Sequence, residues 1–217
     1  MSLDNLVNER TYLRENVVVF RKTKEEYGGL SNMAAGFQIC INGITFRSSE
    51  ALYQCIRFTE HASIQQQIIN QKSPMTAKMI SKKYRKNTRD DWHEIRLIVM
   101  RWCIRAKLIQ NWDSFGGLLL ETMDKEIVEE SKKDKFWGAI PFEDGTLNGV
   151  NALGRLLMEL RSDIPNLMSS NELLNPKIPN FKILDNEIRN LKFNFDSQPQ
   201  GIKKNNSSNI EYLSFFD

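Results

Sequence analysis

The chain has 217 residues, 41% of them hydrophobic and 26% charged, with a net charge of +3. That is enough for one good-sized core, or one domain plus a tail, and it excludes both a disordered chain and a strongly basic one. No apolar run approaches the ~20 residues of a membrane span, and the first residues carry acids where a secretory leader carries an apolar stretch. Three widely spaced cysteines, Cys40, Cys55 and Cys103, suit a reducing compartment better than a disulfide framework. A cytoplasmic protein with no membrane partner is therefore expected. With only His61 and His93 and no zinc-type spacing, neither a metal site nor a Ser-His-Asp triad is expected.

Residues 1–15 are polar and read as a loose segment. The β-branched run at 17–20 reads as a strand, and 27–32 as a turn or loop. Residues 37–41 alternate, and Asn42-Gly43 is a tight hairpin signal leading into 44–46, so the front end reads as a small antiparallel sheet. At Ser48 the period becomes helical, with Ser48 as cap. Ala51, Leu52, Cys55 and Ile56 share one side of that helix, while Glu50, Tyr53, Gln54 and Arg57 share the other. Further helices are expected at 64–70 and after Ser73-Pro74, then a long one from Asp90 or Asp91 to about Asn111, then at 113–123 and 148–162. The basic run from Lys82 to Arg89 is either a solvated surface or a nucleic-acid contact. After Asp163-Ile164-Pro165 the texture turns asparagine-rich and irregular. Phe181, Ile183, Leu184, Phe193, Phe195, Tyr212, Phe215 and Phe216 could still dock on the core or on a partner chain.

The long helix carries two apolar stripes, one through Ile95, Ile98, Val99, Trp102, Ala106 and Ile109, the other through Leu97, Ile104 and Leu108. Only Glu94, Arg101, Arg105 and Trp112 are left for water, so the helix should lie centrally. Lys107 falls away from that wet strip, in one sector with Arg96, Met100, Cys103 and Gln110. An interior lysine must be paired, snorkel or give up its proton, so it is either a structural partner or a pocket amine with a depressed pKa. Glu50 stands in a first turn, which the helix dipole favours, but its polar neighbours suggest a pocket wall. Trp92 and Trp137 are plain core residues or stacking surfaces for a base.

A succession of short words carries a resemblance: Gly29-Leu-Ser-Asn32, Ser49-Glu-Ala-Leu-Tyr-Gln54, Ser73-Pro-Met-Thr-Ala-Lys78 and Asp91-Trp92. Then come Lys107-Leu-Ile-Gln-Asn111, Ile127-Val-Glu-Glu-Ser131, Asp134-Lys-Phe-Trp-Gly138, Gly149-Val-Asn-Ala-Leu-Gly154 and Leu157-Met-Glu-Leu-Arg161. In this order they resemble the NADAR (NAD and ADP-ribose associated), or YbiA-like, family over about residues 16–165. The resemblance implies a compact, mostly helical α+β single domain with a small antiparallel sheet, flanked by 1–15 and by an irregular extension, 166–217. It implies an N-glycosidase that needs no cofactor, with a nucleotide-sugar or ADP-ribosylated substrate. On that likeness Glu50, Lys107 and Asp134 are the catalytic candidates. Asn32, Tyr53, Gln54, Arg57, Trp92, Gln110, Trp137, Gly138 and Asn151 are the substrate-binding ones.

The most direct expectation is removal of ADP-ribose from a modified guanine, which makes nucleic acid a possible partner. Alternatives are a glycosidase of riboflavin-pathway intermediates and a non-catalytic ADP-ribose-binding module. The family often has Lys-Phe where this chain has Arg57-Phe58, and an arginine stays protonated and cannot act as a nucleophile. An oxocarbenium-like transition state would be stabilised by Glu50 or Asp134, or else Lys107 would form an imine at the anomeric carbon. All of this requires Glu50, Lys107 and Asp134 to meet at one cavity. Oligomeric state is not legible.

Overall fold

The computed structural model describes residues 6–193. Strand β1 (Arg10–Leu13) lies antiparallel to β7 (Thr146–Gly149), which also pairs with β6 (Ile140–Pro141). Strand β2 (Val18–Phe20) runs parallel to β5 (Ile127–Glu129), with Phe20 opposite Glu129. The hairpin of β3 (Ile39–Ile41) and β4 (Ile44–Phe46) turns at Asn42 and Gly43, both at positive φ, the tight-turn geometry that this dipeptide favours. The front end is thus three separate pairings, not one antiparallel sheet. Alternation marks residues that suit a strand but carries no information on the partner, and β2 finds its partner more than a hundred residues later. Nor is the whole leading segment loose, because β1 buries Tyr12.

Helix α1 (Ser49–Ile56) begins where the Ser48 hydroxyl accepts the Ala51 amide at 3.2 Å. Helix α2 (Ala62–Ile69) and α3 (Pro74–Lys83) follow, α3 opened by a reciprocal Ser73–Thr76 capping box with proline at its first turn. Both pack on α1, as does the central helix α4 (Trp92–Gln110), and α4 packs in turn on α6 (Ala152–Ser170). All eight residues of α1 are buried, its polar side included. On α4 Glu94 meets water as expected, but Arg101 and Arg105 face α6 instead, pairing with Glu159 and with Asp163, each at 2.7 Å. Trp112, also expected in water, is buried. The helix stops at Gln110, and a π-type turn (Trp112–Gly116) followed by the single-turn α5 (Gly117–Leu120) replaces the helix expected at 113–123. A side chain on Gly116 would come within 2.8 Å of the Trp112 ring, so the missing Cβ lets that ring fold inward.

Helix α6 runs through Pro165 to Ser170, past the break read from the sequence. Pro165 loses one backbone hydrogen bond, but Ile164 and Leu167 on either side of it are buried and keep the helix on the core. Beyond it, β8 (Glu172–Leu173) pairs with β11 (Leu191–Lys192), and β9 (Lys182–Ile183) with β10 (Asn186–Glu187). Leu173, Phe181, Ile183 and Ile188 are buried, with Phe181 edge-on to Trp102 at 4.9 Å. The fully buried Gln65 amide ties this segment down: it donates to the Cys55 and Lys182 carbonyls and accepts from the Leu184 amide. The described part of the extension therefore docks on the core. Phe195, Tyr212, Phe215 and Phe216 lie outside the described residues. Among the described residues no helix is long and apolar enough to cross a membrane.

Candidate active site

Three polypeptide segments converge on Glu50. The loop before α1 presents Asn32, whose carbonyl accepts the Glu50 amide at 3.0 Å and whose Nδ2 donates to Glu50 Oε2 at 2.5 Å. One helical turn on, Gln54 Nε2 donates to Oε1 at 2.9 Å, and Gln54 Oε1 in turn accepts from the Ser81 hydroxyl of α3. Lys78 of α3 places its amine 3.9 Å from Oε1. Glu50 is only 2% exposed. Burial raises its carboxyl pKa, while Lys78 and the Gln54 amide pull it back. A carboxyl that receives N–H donors on both oxygens is arranged to accept, which suits the ionised form.

A second carboxylate, not singled out from the sequence, belongs to the same cluster. Glu129 ends the buried strand β5, and burial raises its pKa to about 7, with Asp134 and Glu50 adding to the rise and Lys78 opposing it. Its backbone is tightly held. The Asn151 side chain accepts the Glu129 amide at 3.0 Å and donates to the Ile127 carbonyl at 2.8 Å, from a residue at φ 51°. A Cβ on Gly138 would stand 2.5 Å from the Glu129 carbonyl, and one on Gly154 would stand 2.1 Å from that of Ile127, so both positions admit only glycine. The available signal was the word Ile127-Val-Glu-Glu-Ser131, with two adjacent acids at the end of an apolar run. Strand alternation sends Glu130 the other way, to Arg14 and Arg21.

Asp134 is exposed. Its Oδ1 accepts the Phe136 and Trp137 amides at 3.0 and 2.9 Å, shaping the turn that carries Trp137, while its charge acts on both glutamates. Tyr53 lies between two indoles, 4.9 Å from Trp92 and edge-on at 5.7 Å to Trp137. Arg57 sits 5.7 Å over the Trp92 ring and donates to the Thr88 hydroxyl at 2.8 Å, and its charge too acts on Glu50. Arg96 lies 3.7 Å over Phe136, next to Trp137. The wall beside the carboxylates is thus aromatic and edged with guanidinium groups.

Of the other residues nominated from the sequence, four are placed differently. Lys107 is 1% exposed, with its amine donating to the Gly29 and Ser31 carbonyls at 2.5 and 3.1 Å between the Phe37 and Phe115 rings. Burial lowers its pKa, no carboxylate pairs with it among the described residues, and the cations acting on Glu50 are Lys78 and Arg57. The expected meeting of Lys107 with the two acids is therefore not found. Helix periodicity puts it inside, but the loop at 29–31 intervenes and takes up its donors. Gln110 exchanges two hydrogen bonds with the Cys40 backbone, and Asn151 and Gly138 brace β5. Two open cavities, of about 460 and 540 Å³, lie elsewhere: one beside Lys86 and Asn180, the other between Asn42 and Arg189. Among the described residues no group of three His, Cys, Asp or Glu side chains could hold a metal ion.

Fold and site together define a compact α+β domain in which a buried carboxylate, Glu50, acts on a second, Glu129, near an aromatic cluster. The chain belongs to the NADAR domain family, which matches residues 19–165. It is 33% identical over 152 residues to the N-glycosidase YbiA of Escherichia coli, covering 70% of this chain and 91% of that protein. It is 34% identical over 155 residues to the riboflavin biosynthesis protein VVA0006 of Vibrio vulnificus, covering 71% of this chain but only 40% of that protein. The NMR structure of E. coli YbiA superimposes with a TM-score of 0.61 at 30% identity, over 73% of this chain and 90% of that one. The class of enzyme is accordingly that of the N-glycosidases.

Proposed function

We propose that the chain removes ADP-ribose from an ADP-ribosylated base, guanine in the first instance, by breaking the ribose–base N-glycosidic bond. The observation that carries this reading is the pairing of two unlike glutamates. Glu50 is buried and held by N–H donors on both oxygens, whereas burial at the end of β5 pushes the Glu129 carboxyl up to about 7, with the Glu50 charge adding to the rise. Cleavage develops positive charge on the ribose ring and negative charge on the departing base. An ionised Glu50 stabilises the first, and a protonated Glu129 supplies a proton to the base nitrogen as the bond breaks. Water then adds to the anomeric carbon and gives up a proton to the Glu129 carboxylate, which yields the free sugar and restores the acid. Trp137 and Tyr53 offer the departing base a face, and Arg57 offers phosphate or ribose oxygens a donor. The imine route through Lys107 has less support, because its amine is committed to the Gly29 and Ser31 carbonyls.

A second reading has a specific observation behind it: relatives in Vibrio vulnificus and Zea mays are named riboflavin biosynthesis proteins. In that reading a pyrimidine ribotide replaces the modified guanine on the same two glutamates. Incubating the full chain with ADP-ribosylated guanine DNA and, separately, with a pyrimidine ribotide decides between them. Release of ADP-ribose from the first, abolished by Glu50→Ala, is expected. Turnover of the ribotide alone transfers the conclusion to the second reading. A borohydride trap read by intact mass should show no adduct that depends on Lys107.

A further inference from the structure

We infer that the outer face of α3 and the turn after it form a track for a nucleic-acid strand, which delivers its modified base to the glutamates. This rests on the modified-base reading above and adds where the polymer binds.

The modest overall charge hides a marked asymmetry. From Lys72 to Arg89 the chain carries seven lysines and arginines and no acid, so the remainder is net acidic. The fold puts these cations outward. On α3 the residues Pro74, Ala77 and Ser81 are buried, while Met75, Lys78, Met79 and Lys82, spaced at i, i+3, i+4 and i+7, form the exposed face. Lys83, Arg85 and Lys86 carry the charge on, all exposed, and among the described residues Lys82, Lys83, Arg85 and Lys86 have no acidic partner. Paired charges would be spent on the protein itself, whereas unpaired ones remain for phosphates. Met75 and Met79, 58% and 63% exposed, lie among them and give the face an apolar component that suits bases better than an acidic peptide.

The inner face of the same helix is a wall of the carboxylate site. Ser81 holds Gln54, and Lys78, itself 54% exposed at the side chain, reaches Glu50. A strand lying along α3 therefore runs over the helix whose Lys78 and Ser81 contact Glu50 and Gln54. At 1.5 Å per residue the ten-residue helix is about 15 Å long, enough to follow a few phosphates of one strand. Because Glu50 is almost fully buried, the target base must leave its stack to reach it, which favours single-stranded or locally opened substrate.

The test uses the full chain and a short unmodified single-stranded DNA, with the same sequence as RNA, followed by fluorescence anisotropy across a salt series. Binding that weakens steeply with salt is expected, and the two oligonucleotides report whether the sugar matters. The combined variant Lys82→Glu, Lys83→Glu, Lys86→Glu should weaken binding by about 100-fold and reduce the log–log salt slope by about 2. An equal charge change elsewhere, Lys24→Glu, Lys177→Glu, Lys192→Glu, should change affinity by less than about threefold. Release of ADP-ribose from a modified mononucleoside, which needs no track, should be the same in both variants and the parent. Equal loss in the two triple variants, no salt-dependent binding by the parent, or equally tight binding of poly-glutamate would overturn the track. Oligonucleotide binding that follows the strip, with no release from any modified guanine, supports the track and overturns the substrate reading instead.

Discussion

Two buried charges on neighbouring helices, Glu50 on α1 and Lys107 on α4, have almost the same exposure and opposite surroundings. Glu50 is met by side chains, two carboxamides and the Lys78 ammonium, and its charge acts on the Glu129 carboxyl. Lys107 is met by two backbone carbonyls and two phenyl rings. Side chains that carry charge can exchange protons and respond to a ligand, while carbonyls and rings can only hold. Burial by itself therefore does not identify a catalytic group, and what surrounds the charge does. The two are also connected in series, since Lys107 fixes the loop at 29–31 and the next residue, Asn32, holds Glu50.

The sharpest way to break the comparison is to remove each charge in turn. Glu50→Ala should lower kcat by about 1,000-fold with the fold retained, as read by steady-state kinetics beside circular dichroism. Lys107→Met should act chiefly on stability, by about 3 kcal/mol in denaturant unfolding, because the buried Ser31 carbonyl and the half-buried Gly29 carbonyl lose their donor. Loss of activity in Lys107→Met at unchanged stability would make the lysine a catalytic group and reverse its assignment.

Glu129 provides a subtler test through pH. If it donates a proton, activity falls as pH rises through about 7, and Glu129→Gln lowers the rate by about 100-fold and removes that limb. Stability carries its own sign. The folded state keeps this proton up to about pH 7, whereas the unfolded carboxyl releases it near 4.5, so the folded state binds more protons between those values. The parent should therefore lose up to roughly 3 kcal/mol as pH rises from 4.5 to 7, a loss that Glu129→Gln is spared. Parallel pH–stability curves for the two proteins would count against the raised pKa. The smallest effect is expected at Arg57, which borders the site without entering the glutamate hydrogen bonds. Arg57→Lys should raise KM by about tenfold and leave kcat nearly unchanged, measured with the same substrate.

Much of the local structure was legible. Asn42-Gly43 can take positive φ at low cost, Ser48 and Ser73 supply caps, and the apolar stripes of α4 need burial on several sides. Glu50, Gln54, Tyr53 and Arg57 were found together because four residues on one helix face stay neighbours wherever the helix packs. The errors lie where a partner is distant in sequence. Arg101 and Arg105 looked wet because Glu159 and Asp163 lie on another helix, and the segment at 10–13 looked loose because β7 comes more than a hundred residues later. Glu129 is not legible as a site residue, since an acid at the end of a strand gives no sign of what it will face.

What the sequence determined by itself was the set of elements, their caps and turns, and the chemical type of each helix face, all governed by interactions within a few residues along the chain. Only the tertiary structure decided that Glu129 joins Glu50, that the Lys107 amine is spent on a loop, and that the cations of α3 border the site while facing outward. Those outcomes depend on which desolvated groups meet across the core, and Coulomb and hydrogen-bond energies there depend on distances that no local pattern encodes.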